Sequence, residues 1–308
     1  MKLGICLPHY GRPIEVGRML EVARRAEDRG LDSVWVTDHV IVPEQANVIY
    51  REDMLDPLAV LPWLAGVTNR VALGTSVVIL PYRSPIPVAK LLASVDVLSG
   101  GRLIVGAAIG WLEGEFDALG VPFKERASRS DEALELLRTL WTQEHPKIQT
   151  KRHRVQDVVM SPMPLQKPRP PLYIGGSSEG AFRRVARLGD GWHASSTNHD
   201  AFRQGADTVR RLWKETGREG CSLLLAPHSD PDRRCPPRGG RHGAHPRAPH
   251  AQRLGEADRR GAPRLPGPRL RPRRARGLVL DVSRDPGDHR PDRGRDQAAG
   301  GGLSCARA

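Results

Sequence analysis

Two glycines and two serines, Gly175-Gly176-Ser177-Ser178, stand between an apolar run and an amphipathic segment. Glycines at the start of a helix leave backbone N–H groups accessible, and a helix N-terminus carries a partial positive charge. The segment therefore predicts an anion site, for which a phosphate is the natural ligand. The same residues also fit an ordinary turn between a strand and a helix, in which a serine caps the helix.

A second candidate is the pair Asp38-His39, which follows the β-branched and aromatic run Ser33–Thr37. Histidine is the side chain whose charge changes near neutral pH, so an imidazole beside a carboxylate is suited to proton transfer. The alternative is a loop pair that caps a turn. His9 and His193 have no partner in the sequence that marks them as functional.

The tryptophans divide into two groups by position. Trp35, Trp63 and Trp141 lie on predicted strand or helix faces and are expected in the core. Trp111 and Trp192 stand at predicted strand ends, where an aromatic side chain is able to wall a planar ligand, although core packing is the favoured interpretation for them too.

Residues 1–225 alternate strand-like and helix-like segments. Strict alternation indicates a parallel sheet covered by helices, either a closed (β/α)8 barrel or an open doubly wound sheet. No GxGxxG follows the first strand, which counts against a dinucleotide site of the Rossmann type. The predicted strands are Leu3–Leu7, Ser33–Thr37, Val71–Leu80, Arg102–Ala108, Leu172–Ile174, Gly191–Ala194 and Cys221–Leu225, and the predicted helices are Ile14–Arg29, Asp56–Gly66, Ser84–Ser99, Ala127–Trp141, Glu179–Leu188 and Asp200–Thr216.

The C-terminal segment, residues 226–308, has a different composition. It carries +10 of the formal net charge of +13, with 12 Pro, 12 Gly, no Lys and no aromatic residue. Such a segment cannot bury enough apolar surface to offset its chain entropy, so we expect no second globular domain there. The sequence therefore predicts one domain over 1–225 with seven units, whereas a barrel of about 250 residues has eight.

Our hypothesis for this tail is a shift of reading frame after about Leu225, because a GC-rich gene read out of frame yields mainly Arg, Pro, Gly, Ala and His. Leu278–Val282, read as written, fits an eighth strand. The rival hypothesis is a disordered, arginine-rich arm that binds nucleic acid or anionic surfaces. The interspersed acids and the absence of Lys and aromatic residues count against that arm.

Compartment and partners follow from what the sequence lacks. The start, MKLGICLPHYGRP, has too short an apolar run for a signal peptide, and no apolar stretch reaches the roughly 18 residues of a membrane span. The four cysteines form no CxxC pair and no metal-ligand spacing. We expect a cytoplasmic protein with a small-molecule substrate, no metal and no membrane partner; a homodimer is compatible with the sequence, which does not fix the oligomeric state.

Long strings of this sequence closely resemble the luciferase-like monooxygenase superfamily, and most closely its oxidoreductases that use the deazaflavin coenzyme F420. The resemblance runs from Met1 to about Leu225. The strings that carry it are MKLGICLPHYG, RRAEDRGLDSVWVTDHV, VALGTSVVILPYRSP, AAIGWLEGEFDALG and PPLYIGGSSEGAFRRVARLGDGWH.

The resemblance implies an α/β fold of the luciferase-like TIM-barrel type, here with its last unit disrupted, that binds F420 or FMN at the mouth of the barrel and transfers hydride. The string GTSV implies a cis peptide at Ser76-Val77 behind the cofactor ring. His39 corresponds to an active-site histidine with a role in proton transfer. The implied cofactor-binding residues are Thr75, Ser76, Val77, Gly110, Gly175, Gly176 and Ser177.

One position departs from the sugar-phosphate dehydrogenases of this superfamily. They carry a glutamate after the glycine of the fourth strand, where this chain has Trp111, with Glu113 and Glu115 further on. We therefore leave the substrate unassigned. Coenzyme F420 is the expected cofactor; an FMN-dependent monooxygenase and an inactive barrel without cofactor are the alternatives.

Overall fold

The computed structural model describes residues 2–10, 14–43, 53–195, 198–218, 220–226 and 278–281. These residues form an α/β fold in which a curled, mainly parallel sheet is covered by helices. The predictions for the tail, apart from the strand near residue 280, lie outside the described residues.

The elements are as follows. The strands are β1 (Lys2–Cys6), β2 (Ser33–Val36), β3 (Ala72–Thr75), β4 (Val78–Ile79), β5 (Leu103–Ala108), β6 (Ile148–Gln149), β7 (Arg154–Val155), β8 (Leu172–Gly175), β9 (Gly191–Ser195), β10 (Ser222–Ala226) and β11 (Leu278–Asp281). The helices are α1 (Val16–Asp28), α2 (Pro57–Val67), α3 (Pro85–Leu98), α4 (Glu113–Ala118), α5 (Arg126–Thr142), α6 (Glu179–Leu188) and α7 (His199–Glu215).

The main sheet has the strand order β3-β2-β1-β11-β10-β9-β8-β5-β4, and β3 also pairs with β5. Its pairings are parallel except those of β11, which runs antiparallel to both β1 and β10. Strands β6 and β7 form a separate antiparallel pair. The full eight-unit barrel with a disrupted last unit stays a prediction.

The seven predicted strands and six predicted helices are present, with two differences. The single strand expected over 71–80 is divided into β3 and β4, which are followed by a short 3-10 helix, Leu80–Tyr82. Helix α4 and the β6–β7 pair were not predicted. Within the described residues, no helix is both long and apolar enough to cross a membrane.

Trp35 is buried inside the curled sheet, and one glycine on each neighbouring strand leaves room for its ring. The indole is 2% exposed and donates its N–H to the Ser33 hydroxyl at 2.7 Å. A Cβ added at Gly74 would lie 2.2 Å from the Trp35 ring, and one at Gly4 would lie 2.6 Å from its nitrogen. Both glycines are therefore required by packing against the tryptophan.

We expect Gly74→Ala to lower the free energy of unfolding by about 1–3 kcal/mol, because the added methyl group overlaps a buried ring. Gly66→Ala is the matched control. Gly66 lies exposed in α2 with no atom near the added Cβ, so this substitution should be neutral or should stabilise by up to about 1 kcal/mol. Urea denaturation of the two variants measures the difference, and equal stabilities would contradict the packing argument.

Candidate active site

The residues predicted to act together lie at the edge of the sheet where the parallel strands end. His39 follows β2, Val77 precedes β4, Gly110 follows β5, and Gly175 ends β8. A Cβ built on Gly175 would lie 3.5 Å from Val77 Cγ1 and 3.3 Å from Ala108 Cβ. The strand order therefore brings Val77 and Gly175 into contact, although they are distant in the sequence.

The peptide bond between Ser76 and Val77 is cis, as the resemblance implied, and falls at the interruption between β3 and β4. Thr75 is buried, and its hydroxyl donates to the Gly106 carbonyl at 2.7 Å and accepts from the Gly106 N–H at 2.9 Å. The Thr75 side chain thus joins β3 to β5. Burial raises the pKa of the neighbouring Cys6 thiol to about 11, although its hydrogen bond with Ser76 lowers that pKa.

Gly110 has a positive φ of 81°, and packing as well as backbone geometry requires a glycine there. A Cβ at this position would lie 2.8 Å from the Phe116 ring and 2.9 Å from Ile79 Cγ2. The glycine is therefore explained by the docking of α4 against the sheet. Its predicted contact with a cofactor remains a prediction.

The loop between β8 and α6 is exposed from Gly176 to Ser178. Gly176 has a φ of 112°, a conformation that favours glycine, and its carbonyl accepts the indole N–H of Trp192 at 2.8 Å. Ser178 is the N-cap of α6 and accepts from the Ala181 N–H at 3.2 Å. The capping interpretation is thus correct for Ser178, while Gly176 and Ser177 remain at an open helix N-terminus.

His39 is 5% exposed and contacts an acid that lies far away in the sequence. Its Nδ1 is 2.7 Å from Oε2 of Glu115, a residue of α4 with no exposed surface. The same oxygen accepts the Tyr82 hydroxyl at 2.7 Å. The other oxygen, Oε1, accepts the backbone N–H groups of Val40 and Ile41 at 2.5 and 3.1 Å. One carboxylate therefore binds the side chain of His39 and the two residues after it.

These donors keep Glu115 ionised. Burial raises the pKa of its carboxyl group, but the hydrogen bonds of His39 and Tyr82, the charge that His39 carries when it is protonated, and the Val40 N–H outweigh burial. The net result is a pKa below the ordinary value of 4.5. A negative charge next to an imidazole is suited to general acid–base chemistry, because it orients the ring and stabilises its protonated form.

Asp38 does not act together with His39 but belongs to a separate ion-pair cluster. It is 1% exposed and pairs with Arg83 through both oxygens, at 2.6 and 2.9 Å, and it accepts the Ile79 N–H at 2.9 Å. Arg83 also donates to Asp56 at 2.8 Å. Burial lowers the pKa of Arg83, but Asp38 and Asp56 raise it by more than burial lowers it. The net pKa is therefore raised, and the guanidinium stays charged. The cluster fixes the loop that carries His39.

Two further histidines and one further tryptophan of the sequence analysis have structural positions. His9 is buried against the backbone of Leu7 and Thr37. His193 is fully buried, neither of its ring nitrogens has a hydrogen-bond partner among the described residues, and burial lowers its pKa to about 4. Trp192 packs in the core against two phenylalanines, as the favoured interpretation predicted. Trp111 is 54% exposed, so the expectation of core packing is wrong for that residue.

Glu115, Tyr82 and Arg83 were not among the predicted site residues. Glu115 lies 76 residues after His39 and in a helix too short to show periodicity. The sequence does contain one indication of Glu115, which is its position next to Phe116 shortly after a strand. A solvated loop does not need an aromatic residue, so Phe116 indicates that this segment packs against the fold. Across the residues that the structure describes, no group of three or more His, Cys, Asp or Glu is placed to hold a metal.

Comparison with known proteins agrees with this architecture. A model of the family described as luciferase-like monooxygenase matches residues 1–229. The chain belongs to the luciferase-like monooxygenase family. An uncharacterised protein of Mycobacterium tuberculosis is 30% identical over 216 residues, which are 66% of this chain and 76% of that protein.

Relatives within the family use two kinds of cofactor by their names. An F420-dependent glucose-6-phosphate dehydrogenase of Kineococcus radiotolerans is 33% identical over 58% of this chain and 52% of its own length. An FMNH2-dependent dimethylsulfone monooxygenase of Pseudomonas putida is 35% identical over 41% of this chain and 36% of its own length. Among solved structures, a monooxygenase from Streptomyces bottropensis has a TM-score of 0.63 and 27% identity, covering 71% of this chain and 68% of that one.

The family therefore contains oxidoreductases and monooxygenases, with F420 or FMN as cofactor. An F420-dependent tetrahydromethanopterin reductase from Methanopyrus kandleri, at a TM-score of 0.60 and 21% identity over 72% of this chain and 65% of that one, shares the fold. In this chain, His39 and the β8–α6 loop lie at the carboxyl ends of the parallel strands. Barrels of parallel strands bind their ligands at that end.

The depressed pKa of Glu115 predicts how stability depends on pH. A carboxylate whose folded-state pKa lies below its ordinary value stabilises the folded state at pH values above 4.5, and this contribution is lost as the pH falls through the folded-state pKa. Glu115→Gln should therefore be less stable at pH 7 and should lose less stability between pH 5 and pH 3 than the native chain.

Urea denaturation at a series of pH values tests this. Glu113→Gln, an exposed residue on the same helix, is the control and should change the unfolding free energy at pH 7 by less than about 0.5 kcal/mol. Parallel pH profiles for the native chain and Glu115→Gln would contradict the assignment of an ionised, buried Glu115.

Arg83→Met should destabilise the fold by about 3–5 kcal/mol, because it leaves the buried Asp38 carboxylate without its cation. Asp38→Asn combined with Arg83→Met should recover part of this loss. Arg211→Met breaks an exposed ion pair with Glu215 on α7 and should cost no more than about 0.5 kcal/mol. Thermal or urea unfolding of these variants measures the contrast.

Proposed function

We propose that this chain is an F420-dependent oxidoreductase that transfers hydride between the deazaflavin and a small organic substrate, with His39 transferring the accompanying proton. The observation that carries the proposal is the buried His39–Glu115 pair, which lies at the same edge of the sheet as Val77 and the β8–α6 loop. Family membership supports the reaction class.

The residues at this edge fit a phosphorylated cofactor. Gly176 and Ser177 are exposed before α6, and a Cβ at Gly180, in the first turn of α6, would meet nothing closer than Ser178 Oγ at 4.0 Å. In the proposal, Gly176, Ser177 and the N-terminus of α6 bind the phosphate, and Val77 lies behind the ring. When bound, the deazaflavin supplies a carbon that accepts or donates hydride.

The chain's own residues then have separate tasks. Glu115 orients the imidazole of His39, which takes up a proton in one direction of the reaction and returns it in the other. Trp111, exposed four residues before Glu115, stands where the sugar-phosphate dehydrogenases have a glutamate, so we do not extend the sugar-phosphate substrate to this chain. An FMN-dependent monooxygenase is the second candidate, which the relative from Pseudomonas putida favours.

Titration of the purified chain with F420 and with FMN, followed by fluorescence quenching, tests the proposal. Binding of F420 without binding of FMN is the expected result. Binding of FMN alone would favour the monooxygenase, and binding of neither would favour an inactive barrel.

Gly176→Asp tests the phosphate site, because it places a negative charge and a side chain where the phosphate is expected. Cofactor affinity should fall at least about tenfold, or 1.4 kcal/mol. Gly100→Asp is the matched control, since Gly100 is also an exposed glycine with positive φ, but it precedes β5 at the opposite end of the sheet. Unchanged affinity in Gly176→Asp would remove the phosphate assignment.

A further inference from the structure

The carboxylate of Glu115 binds more than the imidazole of His39. Its carboxylate has two oxygens, and donors from two segments of the chain, the loop after β2 and the turn after β4, divide them. Oε1 accepts two backbone N–H groups of the loop after β2, and Oε2 accepts from Tyr82 and contacts Nδ1 of His39. Donors on both oxygens prevent the carboxylate from rotating away from the imidazole.

We propose that Glu115 is a positioning residue that holds neutral His39 in a single tautomer, with the proton on Nδ1 and the lone pair on Nε2, and that Tyr82 fixes the carboxylate that does so. The proposal rests on the proposed function only for the use that catalysis makes of Nε2. The tautomer itself follows from this chain's own residues.

Nδ1 of His39 is the donor in its hydrogen bond with Glu115. An ionised carboxylate is only an acceptor of hydrogen bonds, and the donors around Glu115 hold the pKa of its carboxyl group below the ordinary value. At a distance of 2.7 Å between Nδ1 and Oε2, the hydrogen must therefore lie on Nδ1. In a neutral imidazole, the other nitrogen then carries the lone pair.

Tyr82 contacts both the carboxylate of Glu115 and the neighbouring Phe116. It is 7% exposed, follows β4 in the short 3-10 helix, and donates its hydroxyl to the oxygen that His39 contacts. Its ring packs edge-on against Phe116, the neighbour of Glu115, with ring centroids 4.9 Å apart. Tyr82 thus restrains both the carboxylate and the helix that carries it.

Backbone hydrogen bonds to Glu115 fix the position of His39 relative to the acid. Val40 and Ile41, which follow His39 directly, donate their backbone N–H groups to the same carboxylate. The main chain and the side chain of this loop therefore cannot move independently of Glu115. A carboxylate fixed in this way also stabilises the imidazolium that forms when Nε2 takes up a proton from a substrate.

The test is NMR spectroscopy of the full chain labelled with 15N at histidine, without added cofactor, near pH 8. The signal of His39 is assigned by its loss in His39→Gln. We expect one tautomer, with the resonances of a protonated Nδ1 and an unprotonated Nε2. A predominance of the tautomer with a proton on Nε2 would overturn the proposal without the need for any variant at Glu115.

Two variants separate positioning from folding. In Glu115→Gln, the side-chain amide is able to donate to Nδ1, so the Nδ1-protonated population should fall and the two tautomers should mix. Tyr82→Phe keeps the carboxylate, so the Nδ1-protonated tautomer should persist, but with a broader His39 signal than in the native chain. Glu113→Gln should leave the spectrum of His39 unchanged.

A native tautomer in a folded Glu115→Gln variant would overturn the role of Glu115, and an unchanged His39 signal in Tyr82→Phe would overturn that of Tyr82. Failure of the proposed function is seen separately, as an absence of F420 binding while the tautomer is as expected. Should Glu115→Gln fail to fold, the native chain and Tyr82→Phe still decide the proposal.

Discussion

The site is organised around one buried negative charge. A carboxylate removed from water is costly unless donors satisfy it, so Glu115 is compatible with the fold only when its donors are in place. Those donors come from the loop after β2 and from the turn after β4, while the acid itself comes from the helix after β5. The three strand ends that form this part of the site must therefore assemble together, and His39 is placed as a consequence.

Aromatic packing holds the helix that carries this charge. Phe116 has no exposed surface and contacts the rings of Tyr82 and Phe123 edge-on, at centroid distances of 4.9 and 5.2 Å. Gly110 lacks a side chain where Phe116 enters the sheet. A six-residue helix would not be stable alone, so these contacts, rather than its own sequence, fix the direction in which Glu115 points.

The sequence was sufficient for the elements and for the regions that follow the strands, because the alternation of apolar strands and amphipathic helices is a local pattern. The helix Glu179–Leu188 was predicted at its observed boundaries. The cis peptide at Ser76-Val77 was found through the resemblance. Adjacency in the sequence leaves Asp38-His39 open to two interpretations, a functional pair or a turn-capping pair, but Asp38 binds Arg83 and His39 contacts Glu115.

Partners that are 45 and 76 residues away cannot be recognised from spacing, since they depend on which strands become neighbours in the sheet. The same limit applies to glycines. Gly74, Gly110 and Gly176 look alike in the sequence, yet the structure requires the first for Trp35, the second for Phe116 and the third for a backbone turn. The requirement comes from packing alone at Gly74, from packing and a positive φ together at Gly110, and from the backbone conformation at Gly176.

Strand β11 runs in the opposite direction to both of its neighbours in the main sheet. Its register pairs Leu278 with Ile5, near the end of β1, and Asp281 with Lys2, at the start of β1. The carboxyl end of β11 therefore faces away from the edge where the other strands of the main sheet end. Loops that follow strands supply the side chains of a barrel's active site, and this sector of the sheet presents the beginning of a strand instead. At the edge of the described sheet that carries His39 and the β8–α6 loop, the neighbouring strands end. At β11 alone within this described sheet, a strand begins there instead.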